Sequence, residues 1–441
     1  MWAEKFGIKI CKFIKKHLSI KLFVIRVTMK TTMSVVKEIR NNKINFFKTV
    51  LFSLIYSVVG VSMSIIGPSL LDLQIAVSAT INQISYLLPV RAFGYVIGSL
   101  CGSFIPKKSD IQIYVVFCTV AVAVTTASLP WNRRILTILV NAGFSGINVL
   151  LLQFWGKESA PFIQFLYFFY GVGSLVAPLL TEPFLLPVKY DKIGNVTLNH
   201  HYKPHDLKIR LPYAIIAAYA FSVLVIFIIV YCLKKKYTIH PSLSIEDQTR
   251  EEKRSFMKTI TIVSLPAIFL HLYFGNTITF GGFLTTFSVK SKLNLSKSKG
   301  AFMTSIFWSA NALFRLPVMI LMRIFSSRNL IILELILMLS SSAVLSVFGN
   351  QYEIALWTSA ILMGLGSSSI FALYVGYLNN YIKLTNKILS ILLVSACVGE
   401  FLYPVVIAKY IDLNANIFIY TNSDHFDQKK VHLTTKQNTN C

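Results

Sequence analysis

Apolar residues run in long stretches from about residue 48 to residue 411, and short polar or basic segments separate the stretches. Each stretch has about the 20 residues that a helix needs to cross ~30 Å of hydrocarbon. The pattern therefore predicts an all-α polytopic membrane protein with eleven spans. Their approximate bounds are 48–71, 83–104, 111–129, 135–154, 161–184, 211–232, 259–284, 302–325, 330–348, 354–377 and 388–410.

Composition agrees with this class. Of 441 residues, 54% are hydrophobic and only 14% are charged, with a mean hydropathy of +0.62, so a soluble domain would lack a polar surface. The net charge of +25 would suggest nucleic acid as a partner of a soluble protein, but the basic residues lie mostly in tails and loops. There they set membrane topology, and we predict no nucleic-acid binding.

Catalytic and metal-binding patterns do not emerge from the sequence. The six cysteines include no C-x-x-C pair, and neither G-x-S-x-G nor a phosphate-binding P-loop occurs. Three histidines lie between residues 200 and 205, but their spacing matches no standard zinc site and favours a solvated loop. We therefore expect no enzyme activity, no cofactor and no metal.

The distribution of charge predicts five segments. Residues 1–47 form a basic arm that keeps the N-terminus in the cytosol, although a lipid-binding or organelle-targeting role stays open. Residues 48–233 hold spans one to six, 234–258 form a charged cytoplasmic linker, 259–411 hold spans seven to eleven, and 412–441 form a polar tail. A multi-pass protein of the plasma membrane is expected.

The fourth and fifth spans carry the residues that make a family resemblance specific. The run N-V-L-L-L-Q-F-W-G-K begins at Asn148, and A-P-F-I-Q ends at Gln164. Both resemble motifs of the major facilitator superfamily, in its branch of sodium-dependent glucose transporters, which is related to the fucose permeases. Similar segments at 67–74, 93–99, 300–308 and 398–400 extend the resemblance over most of residues 48–411.

The resemblance implies two six-helix halves with a sugar-like solute bound between them. A sugar carrier needs amides and hydroxyls to replace water, with aromatic faces for the apolar side of the ring. The candidates for solute binding are Asn148, Gln164, Asn276, Asn311, Trp308 and Tyr374. Hydrogen bonds between helices are the alternative role for the amides, and packing is the alternative for Trp308.

Coupling to an ion is where this chain departs from the family pattern. The branch carries acids on its fourth and seventh helices, where this chain has Phe144 and Thr277, and Pro106 replaces the acid of a conserved cytoplasmic loop motif. An intramembrane carboxylate is the natural site for a coupling cation, so sodium coupling is not expected and transport is facilitative. A non-transporting receptor or scaffold that kept the fold is the competing hypothesis.

Charges inside the predicted spans are the remaining candidates for function. Arg91 and Glu400 lie at similar depths on spans two and eleven, which meet between the halves in the fold that the chain resembles. An ion pair between them would bias which side is open, while separate partners among carbonyls and hydroxyls are the alternative. Arg315 on span eight is a further gating candidate.

A twelfth span is missing from the pattern, because only a short apolar run follows residue 411. Either the sequence is an incomplete reading of a transporter gene, or the protein has eleven spans. The first alternative is favoured, since an unpaired half would expose to lipid helix surfaces suited to protein contact.

Two N-glycosylation sequons begin at Asn195 and Asn294 in loops that the topology places outside. We predict that Asn195→Gln removes one glycosidase-sensitive step from the electrophoretic mobility of the protein expressed in a eukaryotic membrane. Asn294→Gln tests the second sequon in the same gel. An unchanged mobility of Asn195→Gln would place that loop in the cytosol.

Overall fold

The structure is a computed structural model that describes residues 43–103, 111–145, 159–187, 202–233, 256–322, 324–378, 381, 386–411 and 414–422. The chain divides into two compact units, residues 1–52 and 53–441. The described part of the first unit, residues 43–52, is helical. The account below concerns the second unit, and no strand occurs among the described residues.

Helices form from the apolar stretches because an unpaired backbone group is costly in hydrocarbon and a helix satisfies its own hydrogen bonds. The helices of the first half are α1 (Lys43–Ser64), α2 (Ile66–Ala76), α3 (Ile81–Ser85), α4 (Leu87–Ser103), α5 (Ile111–Ser128), α6 (Ile135–Ser145), α7 (Ser159–Thr181) and α8 (Arg210–Leu233).

The second half continues in the same manner. Its helices are α9 (Phe256–Lys290), α10 (Lys297–Leu321), α11 (Ser327–Phe348), α12 (Glu353–Gly366), α13 (Ile370–Leu378), α14 (Asn386–Tyr410) and α15 (Ile417–Asn422). The halves meet where α4 packs along α14 and α7 packs along α10.

Among the described residues, seven helical segments are long and apolar enough to cross a membrane, one of them α12 and α13 taken together, and the bent pair α1–α2 makes an eighth. The predicted second and third spans correspond to α4 and α5, which are shorter. The fourth span is described only as far as Ser145, so its predicted end at residue 154 lies outside the described residues.

The first predicted span is not one straight helix. It begins earlier than predicted, at Lys43, and bends by 50° between α1 and α2. Pro68 explains the bend, because its ring lacks the N–H that would bond to the carbonyl of Ser64 and crowds that carbonyl. The axis of α2, the second half of the span, therefore points in a different direction from the axis of α1.

The tenth predicted span is also two helices. It is interrupted at Ser367–Ser369, between α12 and α13. Short hydroxyl side chains compete for backbone groups, so a serine run after Gly366 is a weak point of a helix. The break leaves backbone groups that other helices must satisfy.

The eighth span begins one turn earlier than predicted. Ser296 is the N-cap of α10, and its Oγ accepts a hydrogen bond from the backbone N–H of Lys299 at 3.2 Å. The predicted span starts at residue 302 and leaves Lys297 in the preceding loop, whereas the cap makes Lys297 the first residue of the helix.

The short apolar run after residue 411 forms α15. Phe418 is fully buried, and its ring lies 4.7 Å from that of Phe287 on α9. This part of the predicted polar tail therefore packs into the core. Residues 423–441 lie outside the described residues, and the missing twelfth span stays a prediction.

Glycines allow α1 and α7 to approach closely. A Cβ on Gly173 would lie 2.1 Å from the carbonyl oxygen of Ser57, and one on Gly60 would lie 2.0 Å from that of Tyr170. Small residues at such positions bring helix backbones together, which is how membrane helices gain packing energy.

We predict that Gly173→Ala destabilises the protein by about 1–3 kcal/mol, the usual effect of overpacking, because the new Cβ forces the helices apart. Gly376→Ala is the matched control, since a Cβ there meets no atom within 4 Å and helix propensity favours alanine. Thermal unfolding in detergent measures both variants. A Gly173→Ala protein as stable as the wild type would contradict the close approach.

Candidate functional site

A cavity lies between helices of both halves, and the space in it that is open to the centre of a water-sized sphere is about 100 Å³. Its wall is mostly apolar and aromatic, with a few polar groups. The polar and aromatic lining residues are Tyr56, Arg91, Tyr95, Tyr167, Tyr170, Tyr273, Phe274, Thr277, Trp308, Asn311, Arg315, Ser367, Phe371 and Glu400.

Arg91 reaches the cavity from α4. It is 4% exposed, and its Nη1 donates a hydrogen bond of 2.5 Å to the carbonyl oxygen of Ser62 on α1. Glu400 lines the same cavity from α14. Among the ion pairs of the described residues, none joins Arg91 to Glu400. The two charges share a cavity, and their predicted pairing stays a hypothesis.

Arg315 enters the cavity from α10 between neutral groups. Its Nη2 donates to Oδ1 of Asn311 at 3.1 Å, and its Nη1 lies 3.5 Å from Oε1 of Gln164 on α7. The guanidinium also lies over the ring of Tyr167, 5.2 Å from the centroid. Gln164 itself is fully buried behind this wall. The contact with Gln164 links the two halves.

Asn311 connects this group to the break between α12 and α13. Its Nδ2 donates to the carbonyl oxygen of Ser367 at 2.8 Å, and the hydroxyl of Tyr273 donates to the same oxygen at 2.8 Å. Two donors thus hold a carbonyl that the interrupted helix leaves available. Ser367 itself lines the cavity, so the break between α12 and α13 is part of the cavity wall.

Glu334 holds the other side of the break from α11. Its carboxylate accepts hydrogen bonds from Ser368 Oγ and from the backbone N–H of Ser369, both at 3.0 Å. Glu334 is 1% exposed and does not line the cavity. The Glu334 carboxylate therefore stabilises the break between α12 and α13.

Aromatic rings form one side of the cavity. The Tyr170 ring meets Trp308 edge-on at 6.0 Å, and Tyr167 meets Phe371 in the same manner at 5.8 Å. Such rings offer flat apolar faces, with polar edges on tyrosine and tryptophan. A solute with both an apolar face and hydroxyl groups suits this wall.

A buried ion pair joins the halves at the end of the bundle where α2 ends and α10 begins. Lys297 Nζ donates to Oδ1 of Asp72, and the two side chains are 2% and 0% exposed. The backbone N–H of Leu186 donates to the other oxygen of Asp72 at 3.0 Å. We call Asp72, Leu186 and Lys297 the Asp72 cluster. Beside it, Ser298 donates to Glu182.

The structure brings together some predicted site residues and separates others. The predicted residues that line the cavity are Trp308, Asn311, Arg315, Arg91 and Glu400. Gln164 lies behind the cavity wall, where its Oε1 accepts a hydrogen bond from Arg315. Tyr374 and Asn276 do not line it, and the ring of Tyr374 packs 4.6 Å from that of Phe269.

Three predicted positions fall elsewhere. Asn148 and Asn195 lie outside the described residues. Asn294 is exposed in the turn before α10 and has a φ of 47°, a left-handed conformation that asparagine tolerates. Asn294 lies three residues before Lys297 of the Asp72 cluster.

The Asp72 cluster and the tyrosines of the cavity escaped sequence reasoning. Asp72 is an acid within an apolar stretch, which is a signal by itself. Lys297, its partner, lies 225 positions away and was placed in a loop. Tyrosines are frequent in membrane helices, so their number did not single out Tyr167, Tyr170 or Tyr273.

Comparisons with known proteins agree with the geometry. The family model described as "Major Facilitator Superfamily" matches residues 52–404. The chain belongs to the major facilitator superfamily. The chain is 27% identical over 396 residues to human "Sodium-dependent glucose transporter 1", an alignment that covers 82% of this chain and 74% of the relative.

Two further comparisons extend this superfamily assignment. The chain is 23% identical over 439 residues to "Major facilitator superfamily domain-containing protein 4A" of Danio rerio, with 83% of this chain and 82% of that one covered. Among solved structures, a D-xylose-proton symporter superposes with a TM-score of 0.63 at 10% identity and covers 88% of this chain and 97% of that chain. The second likeness shows the fold.

Membership in the superfamily confirms the resemblance found in the sequence and the all-α membrane fold. The protein is a multi-pass membrane transporter rather than an enzyme. Transporters of this superfamily work by rocking two halves around a central site. In that motion, an ion pair between the halves must break for its end to open.

We predict that Lys297→Met lowers the free energy of unfolding by about 3–5 kcal/mol, because it leaves Asp72 buried without its partner. The double variant Asp72→Leu/Lys297→Met is expected to recover much of that loss, since no charge is then left unpaired. Thermal unfolding in detergent measures both.

Lys299→Met is the matched control for this prediction. Lys299 is two residues away and pairs at 2.8 Å with Glu353, but the two side chains are 50% and 35% exposed. Exposed pairs contribute about 1 kcal/mol or less. Equal losses in Lys297→Met and Lys299→Met would show that burial of the Asp72 cluster carries no special weight.

Proposed function

We propose that this transporter moves a hexose such as glucose, or a similar small polar solute, across the membrane by alternating access. The observation that carries the proposal is the cavity between the halves, with Asn311, Arg315 and Glu400 in a wall of aromatic rings. Amides and charged groups replace water around hydroxyls, and rings cover the apolar face of a sugar. The name of the human relative supports a sugar as the solute.

The Asp72 cluster gives the proposed cycle one of its gates. With the N-terminus in the cytosol, the end of α2 lies on the outer side, so the ion pair Asp72–Lys297 closes the cavity from outside. Opening that side separates α2 from α10. The proposed location is the plasma membrane, where loops with Asn195 and Asn294 would face outward.

Transport is proposed to proceed without sodium. Relatives carry sodium dependence in their name, but Thr277 stands where the branch has an acid on its seventh helix. Its Oγ1 donates within α9 to the carbonyl oxygen of Tyr273 at 2.8 Å, so the side chain offers the cavity no carboxylate. An intramembrane carboxylate is the natural ligand of a coupling cation, and position 277 does not supply one.

A receptor or scaffold that no longer transports is the second candidate. Phe144, Thr277 and Pro106 support it, since each departs from a family position tied to the transport cycle. Such a protein would bind a solute without moving it. Binding and uptake measured on the same preparation separate the two functions.

We expect labelled glucose to enter proteoliposomes that hold the full chain, with a rate unchanged within about twofold when choline replaces sodium. Trp308→Phe should raise the half-saturating concentration up to about tenfold, since it removes a donor worth roughly 0.5–1.5 kcal/mol from the cavity wall. Within the part of the chain that the structure describes, Trp308 Nε1 has no hydrogen-bond partner, so it can donate to a solute.

Trp357→Phe is the matched control for this uptake assay. Its Nε1 donates to Glu353 at 3.2 Å, and Trp357 does not line the cavity, so uptake should be unchanged. Uptake that collapses in choline would overturn the sodium independence. Glucose binding without uptake would favour the receptor.

A further inference from the structure

Three N–H groups near the cavity have no hydrogen-bond partner among the described residues. They are Nε of Arg315, Nε1 of Trp308 and Nε2 of Gln164. All three side chains are at least nine-tenths buried, and Arg315 and Trp308 line the cavity. A buried polar group without a partner costs roughly 1–3 kcal/mol. A solute in the cavity can supply the partner of the Arg315 and Trp308 groups, whereas Gln164 is fully buried behind the wall.

The ligand must bring acceptors, because none of these groups can accept. Arginine and tryptophan side chains only donate, and the glutamine amide nitrogen only donates. The one acceptor atom of Gln164, Oε1, already lies next to Arg315. A sugar hydroxyl accepts, but it also brings a proton that needs an acceptor of its own.

Charge points in the same direction. Arg315 contacts two neutral amides and a ring, and none of the described ion pairs includes it. The nearby carboxylate of Glu334 is held by Ser368 and Ser369. A guanidinium at membrane depth is stabilised by an anionic partner, and it binds a carboxylate through two parallel hydrogen bonds, in bidentate geometry.

A hydrogen-bond acceptor also lines the cavity. Glu400 reaches it from α14, and a carboxylate accepts hydrogen bonds from hydroxyl groups. The cavity therefore has donors around Arg315 and an acceptor at Glu400. A solute with an acid group at one end and hydroxyls at the other matches this arrangement better than a neutral sugar does.

We infer that the preferred solute of this transporter is a monoanionic sugar acid, such as a hexuronate, whose carboxylate binds Arg315 beside Trp308. The inference rests on the proposed function and narrows its solute class. The cavity is lined by two guanidinium groups, of Arg91 and Arg315, and by one carboxylate, of Glu400. One positive charge is thus left to a solute, which favours a carboxylate over a doubly charged phosphate ester.

The test compares D-glucuronate with D-glucose, which share a ring and differ at one carbon. Proteoliposomes holding the full chain are assayed for exchange of each labelled solute and for competition by the other. We expect glucuronate to compete at a concentration at least tenfold lower than glucose. Glucose 6-phosphate, tested in parallel, should compete less well than glucuronate.

Variants then locate the effect. Arg315→Gln should reduce the preference for glucuronate over glucose at least tenfold, measured as the ratio of the concentrations at which the two solutes compete. Arg315→Lys should keep part of the preference, since lysine retains the positive charge but cannot bind a carboxylate in bidentate geometry. Arg328→Gln is the matched control, because Arg328 is exposed at the start of α11, away from the cavity.

Each outcome bears on the inference. Glucose exchange with no exchange or competition by glucuronate would overturn the inference and leave the proposed function standing. Neither exchange nor binding of either solute would overturn both. Better competition by glucose 6-phosphate, or an unchanged preference in Arg315→Gln, would also contradict it. If Arg315→Gln does not fold, the ratio measured on the wild type decides.

Discussion

An ionised side chain buried between helices loses its hydration, and this loss constrains where the helices of the protein meet. Asp72 and Lys297 are together almost inaccessible to water, so each needs the other in place. Glu334 meets the same constraint with hydrogen bonds from the broken span. Arg91 meets it with a backbone carbonyl of α1. Contacts between distant parts of the chain are thus fixed by the need to satisfy charge.

The sequence predicted the helices well where apolar length alone decides. The third predicted span, 111–129, corresponds to α5 at Ile111–Ser128. The prediction from hydropathy was wrong at Pro68 and at Ser367–Ser369, where a helix is interrupted inside an apolar stretch. Hydropathy measures transfer into lipid and does not register a lost hydrogen bond. A proline or a serine run therefore has to be considered separately.

The candidate site was predictable in part for a similar reason. Rarity of polar residues in apolar spans singled out Asn311, Arg315 and Glu400, and these line the cavity. The same criterion also selected Asn276, which does not. Rarity indicates depth along a helix but not the direction in which a side chain points. That direction depends on how helices pack, and packing between distant segments is not readable from one sequence.

The carbonyl of Ser367 links the shape of a helix to the contents of the cavity. Asn311 holds that carbonyl and also faces the solute space. Any solute that draws the Asn311 amide toward itself releases one of the two donors at the break, and Tyr273 alone remains. One acceptor then replaces another at little net energy. Binding of a solute in the cavity and the angle between α12 and α13 are thereby thermodynamically linked, so that a change in one shifts the other.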